Sequence, residues 1–203
     1  MTRQINLQRR FQIIEGADLP ERKVDQRWDD FESAHAIVML GPPGSGKTTV
    51  FQGLAEANPH GTYKTVRSLL RTPNGELRGS VLYLDALDEA RPDRTERDKI
   101  DSVIKKLGEL GRPSFRISCR EADWLGASDL RALKDAVPDK KKLLVVSLEP
   151  LNDEEVQELA KAFGEPNPHE FIASAKERGV EDLLRNPETL RLLVEAVRQG
   201  GAW

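Results

Sequence analysis

A single cysteine, Cys119, stands among 203 residues, so no disulfide can form within the chain. That usage suits a reducing cytoplasm. There is no basic excess: 31 Lys and Arg face 34 Asp and Glu, a formal net charge of −3. Nucleic-acid binding therefore lacks its usual electrostatic footprint. The one basic run, Lys140, Lys141 and Lys142, directly precedes an apolar stretch and reads as a solvated strand entrance. No run approaches the roughly 18 apolar residues of a membrane-crossing helix. The opening MTRQINLQRRF lacks the apolar centre of a secretory signal. His35, His60 and His169 are scattered, without metal-ligand spacing. The expectation is a soluble cytoplasmic protein without a membrane partner, of one domain or one domain plus part of another.

What is present is an alternation of short apolar runs and helical patterns. Residues 36–40 (AIVML), 81–84 (VLYL), 115–119 (FRISC) and 143–148 (LLVVSL) read as strands buried on both faces of a parallel sheet. A weaker fifth, 62–66 (TYKTV), follows the breakers Asn58, Pro59, His60 and Gly61. Residues 47–57 and 98–110 carry helical spacing, the latter through Ile100, Val103, Ile104 and Leu107. These signals predict a three-layer α/β core over residues 36–150, with a mostly parallel sheet and right-handed crossovers. After Pro150 only helical patterns remain, at 152–163, 170–178 and 188–198, so residues 151–203 read as a small, truncated helical subdomain. Residues 1–35 form a charged lead-in with apolar anchors at Phe11, Ile13, Ile14, Trp28 and Phe31, to which no function is assigned.

Residues 41–49, GPPGSGKTT, fit the phosphate-loop pattern G-x-x-x-x-G-K-[ST] between a buried-type strand and a helical pattern. Glycines let backbone N–H groups face phosphate oxygens without a Cβ in the way, and the helix start adds its own free N–H groups. The candidate nucleotide-binding set is Gly41, Gly44, Ser45, Gly46, Lys47, Thr48 and Thr49. Lys47 would bridge β- and γ-phosphate oxygens, and the Thr48 hydroxyl would hold Mg²⁺.

The strand at 81–84 ends in Asp85, followed by Asp88 and Glu89. Ligands of open α/β sheets sit outside the carboxyl ends of strands, so Asp85 belongs beside the phosphate loop as a second Mg²⁺ residue. Glu89 or Asp88 can polarise a water for attack on the γ-phosphate, or the two acids can simply cap the next helix. The TYKTV strand is expected between the phosphate-loop strand and the acidic strand, which disfavours small nucleotide kinases and GTPases. The strand at 115–119 ends in Arg120, which can contact a γ-phosphate or pair with Glu121 or Asp123 at the surface. Cys119 reads as a small buried residue and Trp124 as packing.

LDALDEA at 84–90 and SCR at 118–120, together with the phosphate loop, resemble the NACHT group of STAND-class P-loop ATPases, especially bacterial ones. On that resemblance Ala86 is the small residue after the Mg²⁺ acid, Asp88 and Glu89 are the paired acids, and Arg120 is sensor 1. RWDDF at 27–31 is similar to the lead-in of bacterial members. RNPETLRLL at 185–193 is similar to the helical-domain motif, whose proline, here Pro187, contacts adenine. The similarity runs from about Trp28 to Val197. It implies an ATP/ADP switch, cytoplasmic, serving defence against phage in bacterial relatives, with self-association or further domains as partners. The winged-helix, sensor-repeat and effector domains of that family are not in these residues, which implies an excised portion or a split gene. An AAA+ remodelling ATPase is the alternative, with Arg91, Arg94 or Arg97 as trans-acting fingers but no evident pore-loop aromatics. A third reading is a non-hydrolysing ATP-binding scaffold.

Overall fold

Strand side chains alternate between two faces, so a strand buried on both sides needs two separate layers of cover. The computed structural model describes residues 9–16, 24–31, 33–88 and 98–200. Six strands form one sheet: β1 (Phe11–Gly16), β2 (Ala36–Gly41), β3 (Gly61–Thr65), β4 (Val81–Asp85), β5 (Phe115–Arg120) and β6 (Leu143–Leu148). Their order is β1-β6-β2-β5-β4-β3. Every pairing is parallel except that of β1 with β6.

On β2, Ala36, Val38 and Leu40 belong to one core, while Ile37 and Met39 belong to the other. The first core is covered by α2 (Val66–Arg71), α3 (Asp98–Glu109) and α4 (Ala127–Leu133), through residues such as Leu69, Val103, Leu107 and Leu133. The second is covered by α1 (Lys47–Ala57), whose Phe51 and Ala55 are buried. The three-layer, mostly parallel α/β class is therefore the observed one.

The order of strands corrects one expectation. The strand between β2 and β4 is β5, and β3, the TYKTV candidate, lies at the sheet edge. Burial explains the exchange. Five of the six β5 residues are buried, as a central strand requires, whereas no β3 residue is fully buried. The β3 boundary also moves by one residue. Thr65 caps α2, its hydroxyl accepting from Ser68 N at 3.2 Å, so Val66 starts the helix.

The apolar anchors of the lead-in segment also have places. Phe11 and Ile13 lie on β1, and Phe31 ends a short 3₁₀ turn, Trp28–Phe31. Phe11, Trp28 and Phe31 form an aromatic cluster with centroids 5.6–6.1 Å apart, which continues through Phe51 to Tyr83. The RWDDF stretch thus packs the sheet face that α1 covers.

Chain contacts divide the molecule into two units, one of residues 10–42 with 47–148 and one of residues 149–200 with Arg9 and residues 43–46. The second unit contains α5 (Asp153–Ala162), α6 (Pro168–Glu177) and α7 (Pro187–Arg198) around its own core of Val156, Leu159, Phe171, Leu190 and Val194. Asn152 and Glu155 close a reciprocal capping box at α5, both bonds at 2.8 Å. Asn186 caps α7, with Pro187 in the first turn. Among the described residues no helix is long and apolar enough to cross a membrane.

Phe51 is fully buried and meets two aromatic rings edge-on. Phe51→Ala is expected to lower stability by about 3–5 kcal/mol, read from urea unfolding. A loss under about 1 kcal/mol would mean that this face collapses around the gap or packs otherwise.

Candidate functional site

The phosphate loop leaves β2 at Gly41 and enters α1 at Lys47. Gly44 and Gly46 take φ of 72° and 93°, in the left-handed region open to glycine. The Lys47 ammonium donates to the carbonyls of Gly41 at 2.8 Å and Pro42 at 2.9 Å. Burial pushes its pKa below that of an ordinary lysine, against the opposing pull of the Asp88 and Asp85 carboxylates. Thr48 and Thr49 follow in the first turn of α1, both exposed.

Asp85 is 6 % exposed, and its carboxylate gathers four donors. Oδ2 accepts from Thr48 Oγ1 at 2.7 Å and from the Tyr63 hydroxyl at 2.9 Å. Oδ1 accepts from the Ser118 hydroxyl and from the Ala86 amide at 3.1 Å. The expected neighbours Thr48 and Asp85 are thus brought together.

Tyr63 and Ser118 had no assigned role in the sequence reading. Ser118 comes from register: Leu84 pairs with Ile117, so Asp85 and Ser118 are next in line. Tyr63 reaches Asp85 from the neighbouring β3. Only strand order reveals either contact.

Ala86 has φ 61°, a conformation that costs a residue with a Cβ about 1–2 kcal/mol. Its amide bonds to Asp85 Oδ1 and to Ser118 Oγ at 3.0 Å hold that turn. A small residue at this position has a physical cause in the turn.

Arg120 pairs with Asp88, and Glu121 and Asp123 are not its partners in this bond. Its Nε lies 2.9 Å from Asp88 Oδ2, and its backbone N–H donates to Oδ1 at 3.1 Å. The Asp88 side chain is 7 % exposed, while that of Arg120 is 46 % exposed. With both oxygens engaged, Asp88 is poorly free to activate a water. Glu89 lies outside the described residues, as do Arg91, Arg94 and Arg97.

In the helical unit, Pro187 lies next to the loop. A Cβ built on Gly46 would come 3.8 Å from Pro187 Cγ. Asn186 Nδ2 donates to the Pro43 carbonyl at 2.9 Å, and the Glu188 amide to the Gly44 carbonyl at 3.3 Å. A Cβ on Gly44 would come within 2.4 Å of the Glu188 carboxylate. Ser45 is buried.

A parallel sheet flanked by helices, with a glycine-rich strand-to-helix loop, defines the P-loop NTPase fold. Two solved structures share this fold. The FIGL-1 AAA domain, crystallised with ADP, has 15 % identity and a TM-score of 0.53 over 82 % of this chain and 61 % of that one. Domain III of the Thermotoga maritima replication initiation protein DnaA has 18 % identity and a TM-score of 0.53 over 84 % and 80 %. The chain thus spans less than two thirds of the FIGL-1 domain. Neither a family model nor a curated protein matches it.

Ala86→Gly is expected to keep stability or raise it by up to about 1 kcal/mol. Ala86→Val should lower it by about 1–3 kcal/mol, since a β-branched side chain is strained at positive φ. Denaturant midpoints compare the two, and equal midpoints would contradict the strained turn.

Proposed function

We propose that this chain is the Mg²⁺-dependent ATP-binding and ATP-hydrolysing switch module of a STAND-type signalling ATPase. One observation carries the reading. The Thr48 hydroxyl and the Asp85 carboxylate meet at 2.7 Å beside a loop of sequence GPPGSGKTT. A hydroxyl and a carboxylate held together at a phosphate loop suit Mg²⁺, with remaining ligands from water and phosphate oxygens. Among the described residues no group of three or more His, Cys, Asp or Glu converges, so this pair is the donor set at hand. Mg²⁺ in such a site supplies charge neutralisation on the β- and γ-phosphates.

The chain's own groups do the rest. Lys47 exchanges its two carbonyl acceptors for phosphate oxygens, a stronger charge-assisted pairing. Burial leaves its ammonium poorly solvated, which lowers its pKa and favours an anionic partner that restores the lost charge stabilisation. Arg120, half exposed at the end of β5, senses the γ-phosphate while Asp88 holds its guanidinium. That pairing leaves Glu89 as the base that takes the proton of the attacking water. Pro187, beside Gly46, is the adenine contact.

The STAND assignment is supported by the helical-domain motif, whose Asn186 and Glu188 bond to the loop itself. The resemblance extends the proposal to self-association on ATP binding and to defence against phage. The AAA+ neighbours favour a second reading, a ring-forming remodelling ATPase. Size-exclusion chromatography with a non-hydrolysable ATP analogue separates them: a closed ring formed by this chain alone favours the remodeller.

Lys47→Ala should weaken ATP binding at least about tenfold, from the loss of charge-assisted bonds worth about 1.5–3 kcal/mol each. Unchanged affinity by calorimetry would refute the loop as a working site.

Glu89→Gln should slow single-turnover ATP hydrolysis by about 10²–10⁴-fold while sparing ATP binding. Asp88→Asn should cost less, by loosening Arg120. If Asp88→Asn is the more damaging, the two acids exchange roles. If both variants hydrolyse like the parent, the pair only caps a helix.

A further inference from the structure

A trans peptide is planar, and its C=O and N–H point in opposite directions. Whatever captures the carbonyl of one residue therefore aims the amide of the next. At the tip of the phosphate loop, three successive carbonyls are captured within the helical unit. Pro43 O accepts from Asn186 Nδ2 at 2.9 Å, Gly44 O from the Glu188 amide at 3.3 Å, and Ser45 O from Arg9 Nη1 at 2.9 Å. The N–H groups of Gly44, Ser45 and Gly46 are thereby turned away from Asn186, Glu188 and Arg9. These are the amides that a phosphate loop offers to its anion.

Arg9 is the unusual member of this set. It is 7 % exposed, and burying a guanidinium is unfavourable unless its donors are met. Its fork donates to two carbonyls and faces one carboxylate. Nη1 reaches Ser45 O, Nη2 reaches Glu149 O at 2.6 Å, and Nε lies 3.5 Å from Glu155 Oε1. Glu155 is itself buried and locked by the capping box of α5. Glu149 follows directly after β6. The helical unit already has an apolar core of its own, and an apolar residue of similar volume would serve packing alone equally well. A planar, permanently charged donor fork is needed where a loop carbonyl has to be held at a fixed distance from two other anchors.

We infer that Arg9 is a positioning residue for the phosphate loop, holding the Ser45 carbonyl so that the Gly46 amide is set for a phosphate oxygen. Arg9 precedes the core strands and belongs to no motif, so the loop pattern alone gives no hint of it. The inference rests on residues 41–49 being a nucleotide site.

The test is calorimetric titration of the full chain with ATP and Mg²⁺, beside thermal melting without nucleotide. Four variants are compared with the parent: Arg9→Gln, Arg9→Lys, Leu159→Ala and Lys47→Ala. Leu159 lies in the core of the same unit and touches no loop carbonyl bond described above, so it reports on stability alone. Arg9→Gln should weaken ATP binding about tenfold, the scale of one hydrogen bond from a charged donor. Arg9→Lys, which keeps the charge but loses the fork, should fall between Arg9→Gln and the parent. Leu159→Ala should melt earlier yet bind as the parent does. Parent-like binding by Arg9→Gln would overturn the inference. So would an equal loss of affinity in Leu159→Ala, because the effect would then be general loosening. A parent that does not bind ATP, or a Lys47→Ala variant that binds equally well, would overturn the nucleotide reading and this inference together.

Discussion

The carboxyl edge of the sheet depends on one buried charge. Among the described residues no Lys or Arg is bonded to Asp85 directly; hydroxyls and an amide surround it instead. Four donors satisfy this buried carboxylate, and each comes from a different part of the fold. Thr48 comes from the phosphate loop, Tyr63 from the edge strand, Ser118 from the central strand, and the Ala86 amide from a strained turn. The sheet must adopt its observed order to bring them together.

A second constraint lies in the phosphate loop, whose residues are shared out by their contacts. Lys47 holds the carbonyls that enter the loop, Gly41 and Pro42, while the carbonyls of Pro43 to Ser45 bond within the helical unit. Pro42 and Pro43 have no N–H to offer, so the amides available to an anion begin at Gly44. The loop is held from its carbonyl side, which is what a site built from amides needs.

Local features were readable in the chain. Strand interiors, the glycine loop and the starts of α5 and α7 follow from short-range chemistry, such as the Asn152 capping box and the Asn-Pro step at Asn186. Nonlocal pairing was not readable. Asp85 and Thr48 carry local patterns of their own, whereas Tyr63 and Ser118 join them only through strand order. That order places β5 where β3 was expected because FRISC can be buried on both faces and GTYKT cannot. The partner of Arg120 was missed for a related reason. Glu121 and Asp123 are near in sequence, but Asp88 is near across the strand ends. The lead-in segment hid β1 because its apolar residues are few and set among charges, and a strand pairing antiparallel at an edge needs only Phe11 and Ile13 buried.

The proposed role of Asp85 is to serve nucleotide binding through a metal ion and not through packing. Calorimetric titration of ATP into the parent and into Asp85→Asn, each with Mg²⁺ and with a chelator, tests it most directly. The account predicts that Mg²⁺ tightens ATP binding in the parent, that Asp85→Asn removes most of this gain, and that the two proteins bind nearly alike in chelator. Equal losses for Asp85→Asn in both conditions, or a parent indifferent to Mg²⁺, would contradict it.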